Sequence, residues 1–209
     1  MSTFTLTDDE VVAIAVDRSG AWAGALPTVD TDQAESLAAA AFRGQRSLVV
    51  RNLIDDAGEL DTALAELTGP AVSSQDLVSV YLGDAEFQRA SWGLATTHYR
   101  STGWMLETVT VLGVHRLSRE PVESHRTYFH ALLSAAVTDG PPSPEGEAQF
   151  LCLASVSPDA RHVVFARRGE LGVTRQDAVT GALRDPEPLD AADLDAVVDS
   201  LLIAGSATV

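Results

Sequence analysis

The chain contains no lysine: all 14 of its basic residues are arginine, set against 30 aspartates and glutamates. The net charge of −16 argues against nucleic acid and anionic lipid as main partners, because both are gripped by cationic faces. The lack of lysine also excludes a G-x-x-x-x-G-K-[ST] phosphate loop, and no G-x-G-x-x-G occurs either. The single cysteine, Cys152, can make no intramolecular disulfide; between Phe150, Leu151 and Leu153 it reads as a small core residue. No apolar run approaches the roughly 18 residues that span a bilayer, so no membrane insertion is expected. The opening MSTFTLTDDEVV lacks the basic-then-apolar pattern of a signal peptide. A reducing cytoplasm is the expected location.

What is present is globular composition, 45% apolar and 21% charged in 209 residues, enough for one buried domain spanning 1–209. Its N-terminal part, 7–68, reads as helices. Thr7 with Glu10 three positions on has capping-box spacing and opens a helix over 7–16. A long helix follows over 32–53, with Ala34, Leu37, Ala38, Ala41, Gln45, Leu48, Val49 and Leu53 at three- and four-residue steps, one apolar stripe with a single polar interruption. A short one runs from 61 to 68 and stops at Gly69-Pro70. Residues 76–82, 90–100 and 104–117 are rich in Val, Thr, Trp and Tyr and predict a three-stranded meander over 76–117. A helix is expected over 121–137, a loop over 139–147, and C-terminal strands and a helix over 148–203. The strands fall at 148–156, 161–167 and 170–175, and the helix is capped by Asp190 with Leu194, Val197, Val198, Leu201 and Leu202 on one face. The last residues, 204–209, read as fraying. This order is α+β, with a central antiparallel β-sheet.

The search for chemistry returns little. Asp55-Asp56-Ala57-Gly58-Glu59-Leu60-Asp61 concentrates carboxylates around a glycine, but fails the 1, 3, 5, 6, 12 spacing of a calcium loop from either starting aspartate. It reads instead as a turn at Gly58 followed by a helix cap at Asp61. His125 and His130 are five apart and miss the i, i+4 ligand spacing; His98 and His115, on neighbouring predicted strands, are placed to approach each other, with no ligand-spaced acid or cysteine beside them. Hydrogen-bonded or exposed structural histidines are expected. No G-x-S-x-G elbow exists. Three helices followed by strands follow a winged-helix order, but the third helix carries Asp61 and Glu66 and no basic residue, which excludes a recognition helix. No catalytic residue, cofactor site or metal site is assigned.

With those classes set aside, the order of elements resembles the EspG family, cytosolic chaperones of type VII secretion systems. The matching segments are "FTLTDDEVVAIA", then "GALPTV", then a long helix ending "SLVVRNLIDDAGELDTALAEL" and closed by "TGPAV", with "PLDAADLDAVVDSLL" as the terminal helix. Asn52 stands where the family has glycine, and asparagine is the next most tolerant residue of a left-handed turn. The resemblance implies a central antiparallel sheet flanked by helical bundles, and a function in binding the apolar tip of a secreted helical substrate and keeping it soluble. The strand-connecting loop that would engage the substrate is Arg100, Ser101, Thr102 and Gly103, flanked by Tyr99 and Trp104; arginine and aromatics are the residues that binding hot spots favour. Two other classes stand beside this one. The first is a small enzyme in which His98, His115 or His125 meets a carboxylate in a pocket. The second is a homodimer or other self-associating module, with the sheet edge or an apolar face covered by a second copy.

Overall fold

The chain begins with an element that hydropathy does not announce. Thr3–Thr7 forms strand β1 and passes without a break into helix α1, Asp8–Asp17. The capping box forms as expected: Thr7 Oγ1 accepts from the Glu10 backbone N–H, and the Glu10 carboxylate accepts from that of Thr7. A computed structural model describes residues 3–100, 103–142, 148–158, 160–177, 180 and 182–203. The loop expected at 139–147 is described only to residue 142, and the fraying expected at 204–209 lies outside the described residues.

Helix α2, Ala34–Val50, lies against α1. The two backbones come closest at Gly44, where a β-carbon would lie 1.9 Å from the Asp9 carbonyl oxygen. Asn52 ends the helix with φ 55, and the Asn52 and Leu53 N–H groups return to Val49 and Leu48, the paired closure of a Schellman motif. The acidic loop is a turn. Asp55 Oδ1 accepts from the N–H groups of Ala57 and Glu59, Gly58 turns with φ 86, and Asp61 accepts from Leu64 N–H to cap α3, Thr62–Thr68.

Four strands follow where three were expected: β2 (Leu77–Gly83), β3 (Arg89–Tyr99), β4 (Met105–Val109) and β5 (Val114–Arg119). The segment 104–117 splits because Thr110–Gly113 is a tight turn, with Gly113 N–H on the Thr110 carbonyl and φ 68 at Gly113. Val111 and Leu112 sit exposed at its tip, so the apolar run continues straight through the reversal and conceals it. Then come α4 (Val122–Asp139), β6 (Phe150–Val156), β7 (Arg161–Arg167), β8 (Glu170–Arg175) and the short β9 (Glu187–Pro188). Asp190 caps a 3₁₀ turn that leads into α5, Leu194–Leu202.

The nine strands of the described residues join one antiparallel sheet in the order β1-β5-β4-β3-β2-β6-β7-β8-β9. The fold is α+β, with helices on both faces of the sheet. Side chains alternate across a pleat, and the register separates two cores accordingly. On one face, Leu77, Tyr99, Met105, Leu117 and Leu6 pack under Ile14, Leu48, Leu64 and Leu67 of α1, α2 and α3. On the other, Val78, Val80, Leu82, Leu151, Leu153, Val164 and Val173 pack under Phe129 and Leu133 of α4 and Val198 and Leu201 of α5. Each fully buried aliphatic or aromatic side chain contributes about 1.5–3 kcal/mol relative to exposure. The first helical layer covers the β1–β5–β4–β3 half, the second the β2–β6–β7–β8 half, and they do so from opposite sides.

Candidate functional site

The loop expected to meet a substrate divides between interior and surface. Tyr99 is completely buried and donates to Glu107 Oε2 at 2.6 Å. Arg100 is buried as well: it is ion-paired with Asp76 at 2.7 Å and donates to Ser155 Oγ and to the carbonyls of Val156 and Leu201. That places a fixed cation on the last turn of α5, where the carbonyl ends of a helix favour one. Gly103 is exposed and Trp104 half-buried, while Ser101 and Thr102 lie outside the described residues. Trp104 lies over His125, ring centroids 4.6 Å apart at an interplanar angle of 34°.

Three of the five histidines form two buried sites, one on each face, and His98 and His115 do not meet, because β3 and β5 direct them to opposite sides of the sheet. His115 lies between two carboxylates: Nε2 is 2.6 Å from Asp8 Oδ1 and Nδ1 is 2.6 Å from Glu107 Oε1. Trp22 Nε1 donates to the same Glu107 oxygen at 2.9 Å, and Thr28 donates its N–H and hydroxyl to Asp8 Oδ2. Two acceptor carboxylates on one ring require both ring nitrogens to carry protons. Burial opposes that charge, but the hydrogen bonds and negative charges of Asp8 and Glu107 outweigh it and raise the His115 pKa to about 9. Burial likewise works against the Asp8 carboxylate, and the bonds from His115 and Thr28 hold it below the usual range.

On the opposite face, His98 Nδ1 and His125 Nδ1 are 2.6 Å apart, with Thr96 Oγ1 at 3.0 Å from His98 Nε2. A single proton lies between the two rings. Burial, reinforced by the neighbouring ring, holds the His98 pKa well below its usual value; burial takes His125 to about 4 despite the opposing pull of Glu120. This pair is neutral. His162, also buried and near Arg100 and Arg175, is lowered to about 4. Cys152 is fully buried, and burial pushes its thiol up to about 12, which makes it the inert core residue the sequence indicated.

Asp8, Glu107 and His115 have the composition of an acid–base set, and sequence spacing did not reveal them. The signal was there in Glu107. It occupies an inward position of a strand between Met105 and Val109, where a carboxylate demands a buried donor. Its histidine is eight residues on and its second acid 107 residues away from that histidine. Each of the three is at most 2% exposed, and none lines the grooves that follow.

The accessible concavity is on the sheet. Because the first helical layer stops short of β2–β6–β7, that half-face is open and forms a groove of about 710 Å³. Its floor is Leu77, Ser79, Tyr81, Ala154, Val156 and Val163. The hairpin Glu86–Arg89 forms one wall, with Arg89 5.3 Å above the Tyr81 ring; Gln176, Ala182 and Leu183 form the other. Arg161 lines the end where β2 starts and β6 ends, beside the Asp76–Arg100 pair. The opposite open half-face, Thr3, Leu106, Thr108, Arg116, Ser118 and Glu120, is polar and holds only about 230 Å³. Two further apolar grooves, of about 300 and 480 Å³, flank α1 and share Val16. Among the described residues no group of three or more His, Cys, Asp or Glu is placed to hold a metal ion. Among the same residues no helix is long and apolar enough to cross a membrane.

No known family model and no curated protein matches the sequence. Among solved structures, the chain is similar to the Mycobacterium tuberculosis type VII secretion system chaperone EspG5 in complex with the PE25–PPE41 dimer. The TM-score is 0.47 at 10% identity, and the match covers 96% of each chain.

Proposed function

We propose that this protein binds secreted helical substrates of a type VII secretion system and keeps their apolar tips in solution. The observation that carries the reading is the uncovered β2–β6–β7 half-face. It is concave, floored by Leu77, Tyr81, Ala154, Val156 and Val163, and walled by loops rather than helices. A groove of this size, with a floor that is apolar except for Ser79 and a polar rim of Glu86, Gln88, Arg89, Arg161 and Gln176, is of the kind that receives an amphipathic ligand. The order of sequence elements shared with the EspG family supplies the class of ligand. In this reading the 99–104 loop adds a second contact, outside the groove, at the end of the sheet where β2 starts. Tyr99 and Arg100 anchor it in the interior, Gly103 is exposed, and Trp104, packed over His125 on the face of α4, offers its outer surface, with Ser101 and Thr102 as further proposed contacts. The strongly negative surface keeps the loaded complex soluble.

The test is co-expression with the secreted helical proteins encoded beside it. A soluble complex is expected, and Ala154→Arg in the groove floor or Trp104→Glu on the loop should lower its recovery about tenfold, with thermal melts showing that both variants remain folded. The reading is overturned if no such substrate is recovered in complex, or if both variants bind as well as the parent.

A further inference from the structure

We propose that α2 is a self-association surface that pairs antiparallel with α2 of a second copy. The outward side of this helix is apolar where a solvated helix would be polar. Ala38, Ala39, Phe42, Val49 and Val50 are all exposed, Phe42 at 62% and Val50 at 81%. The inward side is spent on α1, through Ala40, Gly44 and Leu48. Two charges interrupt the outward stripe, Glu35 near its start and Arg46 near its end. Neither has an ion-pair partner among the described residues. Arg46 lies over the Phe42 ring at 5.8 Å, whereas its neighbours Arg43 and Arg51 are ion-paired with Asp9 and Glu10.

These positions complement themselves. In an antiparallel pair whose twofold axis passes level with residues 40–41, the rise of about 1.5 Å per residue places Glu35 and Arg46 each about 8 Å from the axis on opposite sides. Glu35 of one copy then faces Arg46 of the other, twice. Ala39 and Phe42, each about 2 Å from the axis, also face one another, so each phenyl ring meets the small alanine surface opposite. A C2 interface requires such reciprocity of one patch with itself. The chain's −16 charge opposes any contact lacking this local match. None of the stripe residues lines the sheet groove, so the pairing leaves the proposed client surface free. One helix per copy is a small interface, which makes the association weak and concentration-dependent.

Sedimentation equilibrium of the full chain from about 10 μM to about 1 mM should show a monomer–dimer equilibrium. Arg46→Glu and Glu35→Arg should each raise the dissociation constant about tenfold, because each sets like charges against one another. The double exchange, Glu35→Arg with Arg46→Glu, should return it to within about threefold of the parent. Phe42→Ala should weaken it about tenfold, and circular dichroism checks that every variant is folded. A monomer at all concentrations overturns the proposal. So do single variants that associate like the parent, which would locate the contact elsewhere, or folded single variants that weaken it without recovery in the exchange. A monomer whose co-purified helical client is lost on Phe42→Ala assigns the stripe to the client and also overturns it.

Discussion

The two histidine sites solve the same problem in opposite ways. His115 is buried as a cation because two carboxylates meet it; His98 and His125 are buried as neutral rings because no carboxylate is hydrogen-bonded to either ring and the pull of Glu120 on His125 does not offset burial. The first site pins β1 and α1, through Asp8, to β4, β5 and the Trp22 segment. The second fastens α4 to β3. Burial pushes all three rings toward neutrality; only acids within hydrogen-bonding distance reverse the outcome. The lesson is that the charge of a buried histidine is set by its nearest acceptors, not by its depth.

The largest expected effect comes from removing the cation of the charged site. His115→Leu leaves Asp8 and Glu107 buried without their shared donor and should cost about 3–5 kcal/mol in urea unfolding. Gly113→Ala strikes the same site from the turn: its β-carbon would lie 2.5 Å from Asp8 Oδ2 at a φ of 68, a loss of about 1–3 kcal/mol. The neutral site should be far more forgiving. Replacing both His98 and His125 by phenylalanine removes both polar partners together and should change stability by within about 1 kcal/mol. A large loss there would break the contrast between the sites.

The pH responses separate the sites further. His98 and His125 have lowered pKa values, so the unfolded chain takes up their protons first. Stability is full above about 6.5 and falls as the pH drops towards 4, and the double phenylalanine variant should reduce that slope to the part contributed by His162. His115 has a raised pKa, so its contribution is complete below about 6.5 and is lost as the pH rises through about 9. Denaturant midpoints measured from pH 4 to 10 resolve both limbs. The smallest effect provides a baseline remote from both sites: Asn52→Gly relieves a left-handed asparagine and should gain under about 1 kcal/mol at every pH.

Elements defined by local chemistry were legible in the sequence. The Thr7–Glu10 box, the Asp61 cap, the turn at Gly58 and the left-handed Asn52 each depend on residues within a few positions, and each formed as expected. β1 was not legible. Thr3–Thr7 alternates weakly, and its pairing with β5 is more than a hundred residues away. The β4–β5 reversal hid behind an uninterrupted apolar run. The same distance rule governs the sites. Arg100 looked like a loop residue because Asp76, Ser155 and Leu201, which bury it, are contributed by three remote segments. The open groove had no local signature at all, since it results from where a helical layer ends rather than from any residue.

The diagonal placement of the two helical layers has a mechanical consequence. β2 sends Leu77 into one core and Val78, Val80 and Leu82 into the other, so the central strands act as a shared keel between two ballasts on opposite sides. A strain applied at α2 can reach α4 and α5 by a shift in the twist of those strands, and the groove floor is built from the same strands. Occupation of the groove is therefore expected to stiffen both layers at once, and slower amide exchange in β2 and β6 would be the first sign of it.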